Sequence, residues 1–67
     1  MTFQLIFKEK NELMEIPDEK YTINDLLNDL ELPEQTIVAK KNDEIVSEET
    51  EINENDEIRL IQIIYGG

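Results

Sequence analysis

Apolar and polar positions alternate over residues 2–8, with Phe3, Leu5 and Phe7 on one side and Gln4 and Ile6 on the other, and this spacing predicts a strand. The polar group Lys8-Glu9-Lys10-Asn11-Glu12 reads as a turn, and residues 13–16 as a second short strand stopped by Pro17. Together they predict an N-terminal hairpin with Met14 and Ile16 pointing inward. The period then changes. Ile23, Leu26, Leu27 and Leu30 fall at i, i+3, i+4 and i+7, the single apolar stripe of an amphipathic helix, with Asn24, Asp25, Asn28, Asp29 and Glu31 on its wet side. Thr22 is placed as the N-cap, Asp25 three residues on completes a capping box, and Tyr21 can staple onto Leu26. Pro33 is expected to stop the helix, because the residue before a proline avoids the α region. An acidic docking helix is the other reading of this segment, and its caps favour a plain core helix.

Residues 36–41 read as a third strand, with Ile37 and Ala39 on one face and Val38 on the other. Asn42-Asp43 is a tight-turn pair whose members both tolerate positive φ, and Glu44-Ile45-Val46 returns as a short strand. Residues 47–51 are polar, with Ile52 as a lone apolar anchor before the turn Glu54-Asn55-Asp56, where Asn55 is expected to be left-handed. The closing stretch, Ile58-Arg59-Leu60-Ile61-Gln62-Ile63-Ile64-Tyr65-Gly66-Gly67, is the longest β-branched run and the one that bears on function. Ile58 and Leu60 would face the helix; Arg59, Ile61 and Ile63 would face outward. A one-sided strand should be polar on its outer face, so Ile61, Ile63 and Val38 predict an exposed apolar patch and hence a docking surface. The competing reading, that loops cover both faces, has little chain to draw on.

Composition narrows the chemistry. The 67 residues make one small domain, and 39% hydrophobic content with clear periodicity is enough to fold it despite a net charge of −11. With only six lysines and arginines, nucleic acid is not an expected partner, and the net charge points to a basic partner surface. Absence of cysteine and histidine removes disulfides, zinc sites, thiol nucleophiles and the usual general base. Catalytic groups, if any are needed, must come from another protein. No apolar run approaches the ~20 residues that span a bilayer, and the N-terminus has no signal-peptide pattern, so no membrane is involved and the expected compartment is the cytoplasm.

The only two glycines are Gly66 and Gly67, although small folds ordinarily use glycine in turns and caps. Without a Cβ on either residue, such a tail can thread a narrow channel and present its carboxylate to another active site. The alternative is a frayed terminus.

In order and spacing these features resemble the β-grasp sulfur carriers of the ThiS and MoaD family and the related ubiquitin-like modifiers. The resemblance covers nearly the whole chain. It rests on the capped helix Thr22-Ile23-Asn24-Asp25-Leu26-Leu27, on Asn42-Asp43-Glu44-Ile45-Val46 for the family's Asn-Gly-x-Ile-Val turn, on Glu54-Asn55-Asp56 for its Asp-Gly-Asp turn, and on Ile63-Ile64-Tyr65-Gly66-Gly67. Both turn glycines are replaced, by Asp43 and Asn55, the residue types that best tolerate positive φ. Tyr65 stands where ThiS and MoaD members usually carry a smaller side chain. The length is nearest to ThiS, the general character to the small archaeal modifier proteins.

The order of elements gives an α+β, ββαββ arrangement with one helix across a mixed sheet, and the length of the first and last strands places them side by side at its centre; the resemblance implies that this is a ubiquitin-like β-grasp domain over residues 1–65 with a flexible Gly-Gly tail at 66–67. It also implies a protein cosubstrate rather than an enzyme, with no metal or cofactor of its own. A ThiF/MoeB-like adenylating enzyme, using ATP and magnesium, would activate the Gly67 carboxylate, and a persulfide-bearing protein would convert it to a thiocarboxylate. Gly66 would give the tail its slim approach, and Ile61, Ile63 and Tyr65 would register it in the partner. The sulfur would pass to a synthase making thiamine thiazole or molybdopterin, or to tRNA thiolation. In an alternative, lysines of target proteins attack the activated carboxylate and the chain is a protein modifier. A third possibility is a non-catalytic β-grasp interaction domain.

Overall fold

A computed structural model describes residues 1–63. The elements run β1 (Thr2–Phe7), β2 (Lys10–Glu15), α1 (Ile23–Asp29), a single 3-10 turn (Glu34–Thr36), β3 (Ile37–Lys41), β4 (Glu44–Val46) and β5 (Glu57–Gln62). They form a five-stranded mixed sheet in the order β2-β1-β5-β3-β4, with α1 packed across one face. The expected β-grasp architecture is present, the short returning strand β4 being the fifth strand. The first and last strands lie parallel at the centre. No helix among the described residues is long and apolar enough to cross a membrane.

The N-terminal hairpin is tighter than the polar run 8–12 suggests. Only Lys8 and Glu9 form the turn, and β2 begins at Lys10, pairing residue for residue from Phe7↔Lys10 to Thr2↔Glu15. Polar residues persist in β2 because it is an edge strand, exposed along most of its length, where charge blunts pairing with other chains. Met14 and Ile16 do pack inward against the core.

Helix α1 starts as its sequence requires. The Asp25 N–H donates to Thr22 Oγ1 at 3.2 Å and the Thr22 N–H to Asp25 Oδ2 at 3.1 Å, closing the capping box. The Ile23 and Asn24 N–H groups donate to the carbonyls of Thr50 and Glu48, so the polar loop after β4 satisfies donors that the helix leaves free. Tyr21 is buried with Leu26, and its hydroxyl donates to Asp29 Oδ2 at 2.6 Å. Burial and the adjacent Asp29 carboxylate push the phenol well above its ordinary pKa. This bond gives Asp29 a purpose at a helix end where the dipole disfavours a negative charge.

The helix does not wait for Pro33. The Leu32 N–H donates to the Leu27 carbonyl at 2.9 Å and the Glu31 N–H to that of Asn28 at 3.1 Å, the bond pair of a Schellman cap, with Glu31 left-handed at φ 58°. Leu32 joins Leu27 on the core, and that hydrophobic closure ends the helix before the proline acts. Lys8 (φ 57°), Asn42 (51°), Asp43 (73°) and Asn55 (69°) are also left-handed, so every such position in the described fold is held by a residue with a Cβ.

The core lies between α1 and the sheet. Phe3, Leu5, Ile23, Leu26, Ile58 and Leu60 are almost wholly buried, and Ile52 closes it from the loop as a lone anchor. At about 1.5–3 kcal/mol for each large apolar side chain, this cluster supplies the main driving force for folding.

Candidate functional site

Strand β5 is central and two-faced. It pairs with β1 in parallel and with β3 antiparallel, burying Ile58 and Leu60 under the helix and turning Arg59 and Ile61 to the opposite side. Ile61 is 39% exposed and Ile63 40%, large values for isoleucines on or beside a central strand. Val38 stands opposite Ile61 on β3, and Ile6 stands beside Arg59 on β1. With the helix and the loop carrying Ile52 both on the other face, the apolar patch is left uncovered.

Between the ends of β1 and β5 the patch deepens into a groove lined by Ile6, Lys8, Arg59, Leu60, Ile61 and Gln62. Lys8 lines this groove, while its ammonium lies over the ring of Phe7, a residue packed against the core on the other face, 5.4 Å from its centroid. The Ile63 N–H donates to the Thr36 carbonyl at 2.7 Å, and this bond fixes the base from which the tail departs. Of the residues singled out in the sequence, Ile61 and Ile63 are brought together on the exposed face, whereas Tyr65, Gly66 and Gly67 lie outside the described residues.

Sequence reasoning missed Ile6 and Lys8 as neighbours of this patch. Alternation put Ile6 on the outer face, but nothing local shows that β1 pairs with β5 in the register Ile6↔Arg59. It also missed the polar network at the other end of β5. Asp56 is buried and accepts from the Asn53 N–H at 2.7 Å and the Asn42 amide at 3.1 Å, with Lys41 Nζ 3.3 Å away. Burial alone would raise the Asp56 carboxyl; the Asn53 N–H, the Asn42 amide and the Lys41 ammonium outweigh it and hold the group below its ordinary value. Asn42 also accepts from the Glu57 N–H at 2.9 Å, so the β3–β4 turn is laced to the start of β5. This network is scaffold: it sets the register in which β5 presents Arg59 and Ile61.

The described residues offer an uncovered apolar face, and the chain has neither cysteine nor histidine. Among them, no group of three or more carboxylates is placed to hold a metal ion.

Comparison with known proteins agrees with this architecture. The family model of the ThiS family matches residues 5–67. The crystal structure of SAMP1 from Haloferax volcanii superposes with a TM-score of 0.73 at 16% sequence identity, covering 100% of both chains. That degree of identity speaks for a shared fold. No curated protein sequence matches the chain.

Proposed function

Because the chain belongs to the ThiS family, we propose that it is a sulfur carrier whose Gly67 carboxylate is activated by a partner and converted to a thiocarboxylate. The observation that carries this reading is the family match through residue 67, with an uncovered apolar face on β5 leading into the Gly-Gly tail. A carboxylate is a poor electrophile and is ionised at neutral pH, so it must be activated before sulfur can be attached.

In the proposed sequence a Gly67 carboxylate oxygen attacks the α-phosphorus of ATP in an adenylating enzyme, and magnesium pyrophosphate leaves. The acyl-adenylate that results carries AMP as a good leaving group. The terminal sulfur of a protein persulfide attacks the acyl carbon, AMP departs, and an acyl disulfide joins the two proteins. A second thiol then attacks the donor's own sulfur. The S–S bond breaks, the donor is left as an ordinary disulfide, and the electron pair stays on the sulfur at Gly67. Nothing in this sequence asks the carrier for a catalytic side chain. What it asks for is a rigid face to dock, supplied by Ile61, Ile63 and Val38, and a slim tail at Gly66, with Tyr65 entering the partner's groove.

Mass spectrometry on protein recovered from its own cells tests the proposal. Trypsin cleaves after Arg59 and releases residues 60–67, a peptide without methionine, so an oxygen-for-sulfur mass change there cannot be mistaken for oxidation of Met1 or Met14. Finding it supports the carrier. Finding residues 60–67 as a branch on lysines of other proteins would instead make the chain a protein modifier.

A further inference from the structure

Part of the outward sheet face carries a charge opposite to that of the protein, although Glu57 shares this face at the far end of β5 from Ile61. One register row crosses all five strands, from Asn11 on β2 through Ile6, Arg59 and Lys40 to Ile45 on β4. It contains two cations and no carboxylate, in a chain with 17 acidic residues and six basic ones. The next positions toward the tail, Ile61 and Val38, are apolar. Arg59 and Lys40 stand directly opposite each other, an arrangement of like charges that destabilises a sheet. Among the described residues the one ion pair joins Lys41 to Asp56, so neither Arg59 nor Lys40 is neutralised within the fold.

We propose that this band docks against an apolar groove edged with carboxylates, so that the adenylating partner's receiving surface is acidic there, opposite to what the net charge of −11 suggests. The inference rests on the carrier reading above and specifies its partner. Charge complementarity carries it. Screening limits the reach of a charge to about 8–10 Å at physiological salt, so a groove closed over Ile61 feels Arg59 and Lys40 strongly and Glu57, four residues back along β5, weakly. Two cations held together against their own repulsion, in a row without a carboxylate and with Glu57 four residues from Ile61 at the far end of β5, fit a partner that supplies the missing charge. A second copy of the chain is the poorer occupant, because a two-fold contact on this face would set Arg59 and Lys40 of one copy against those of the other.

The test is ATP–pyrophosphate exchange by the adenylating enzyme purified from the source cells, with parent chain, Lys40→Glu, Arg59→Gln and the double variant Lys40→Glu/Arg59→Glu as substrates. Melting curves accompany the kinetics. The KM for the carrier should rise about tenfold or more in the double variant, and the parent's KM should rise with added salt. The kcat should stay near the parent's. Lys40→Glu should melt no lower than the parent, since it turns a like-charged cross-strand pair into an opposite one; weaker docking by a chain that is at least as stable cannot come from unfolding. If the parent is activated but the double variant's KM is unchanged or lower, the carrier reading stands and the acidic groove is overturned. If sedimentation shows a parent dimer that Lys40→Glu dissolves, the face belongs to a second copy and the inference fails. If no adenylating enzyme acts on the parent, the carrier reading falls and takes this inference with it.

Discussion

The Lys41 ammonium stands 3.3 Å from the Asp56 carboxylate, and the same lysine donates to the Glu51 carbonyl at 3.0 Å. Through this pair the end of β3 is tied both to the turn that launches β5 and to the loop that pads the helix. Asp56→Ala would strand the Asn53 N–H and the Asn42 amide at a buried site. The expected loss is about 1–3 kcal/mol, measured by urea unfolding, with Lys41→Met costing less because the two remaining donors still reach the carboxylate.

The pH dependence follows from the same carboxyl. Its folded pKa is lowered from the ordinary 3.8, so the folded state binds the proton less readily than the unfolded chain. Its contribution is therefore complete above the unfolded value and is lost as pH falls through the folded one. Stability of the parent should drop on acidification below about pH 4, and Asp56→Asn should flatten that drop. A parallel decline in parent and variant would show that other carboxylates dominate.

Glu31 spends left-handed conformation on a residue with a Cβ, at a helix end where its negative charge also opposes the dipole. Glu31→Gly relieves both and retains the Schellman bonds, so it should stabilise the domain by about 1 kcal/mol. Thermal unfolding checks this, and Glu31→Ala, which keeps the Cβ and removes the charge, separates the two contributions.

Ile61 is 39% exposed and lies outside the core cluster, so Ile61→Asp should change the unfolding free energy by less than about 1 kcal/mol. In pyrophosphate exchange the same variant should raise the carrier's KM severalfold. Global unfolding by Ile61→Asp would mean that the outer face is packed in the native protein and would remove it as a docking surface.

A charge of −11 with a single ion pair among the described residues leaves the folded chain self-repelling. Raising salt from about 0.1 M to about 1 M shortens the screening length from about 10 Å to about 3 Å, so the melting temperature should climb across that range. Docking is expected to respond in the opposite sense and weaken. Stability and affinity moving together would show that the same charges govern both.

Local sequence determined much of this protein because local chemistry suffices for it. The cap Thr22–Asp25, the left-handed Asn42, Asp43 and Asn55, the inward Ile58 and Leu60 and the outward Ile61 each follow from a residue's own conformational preference or from alternation within one strand. Where a segment's fate depended on partners distant in the chain, the sequence was silent or misleading. The polar run 10–12 is strand because β1 pairs with it, and the helix ends at Asp29, closed through the left-handed Glu31, because Leu32 reaches the core ahead of Pro33. The order of elements already placed β1 beside β5, but only the tertiary structure set their register, which brings Ile6 and Lys8 to Arg59, places Lys40 opposite it, and joins Lys41 to Asp56. Strand register is a long-range property, decided by which pairing buries both apolar faces under one helix, and the charge of the exposed row around Arg59 is a consequence of that register.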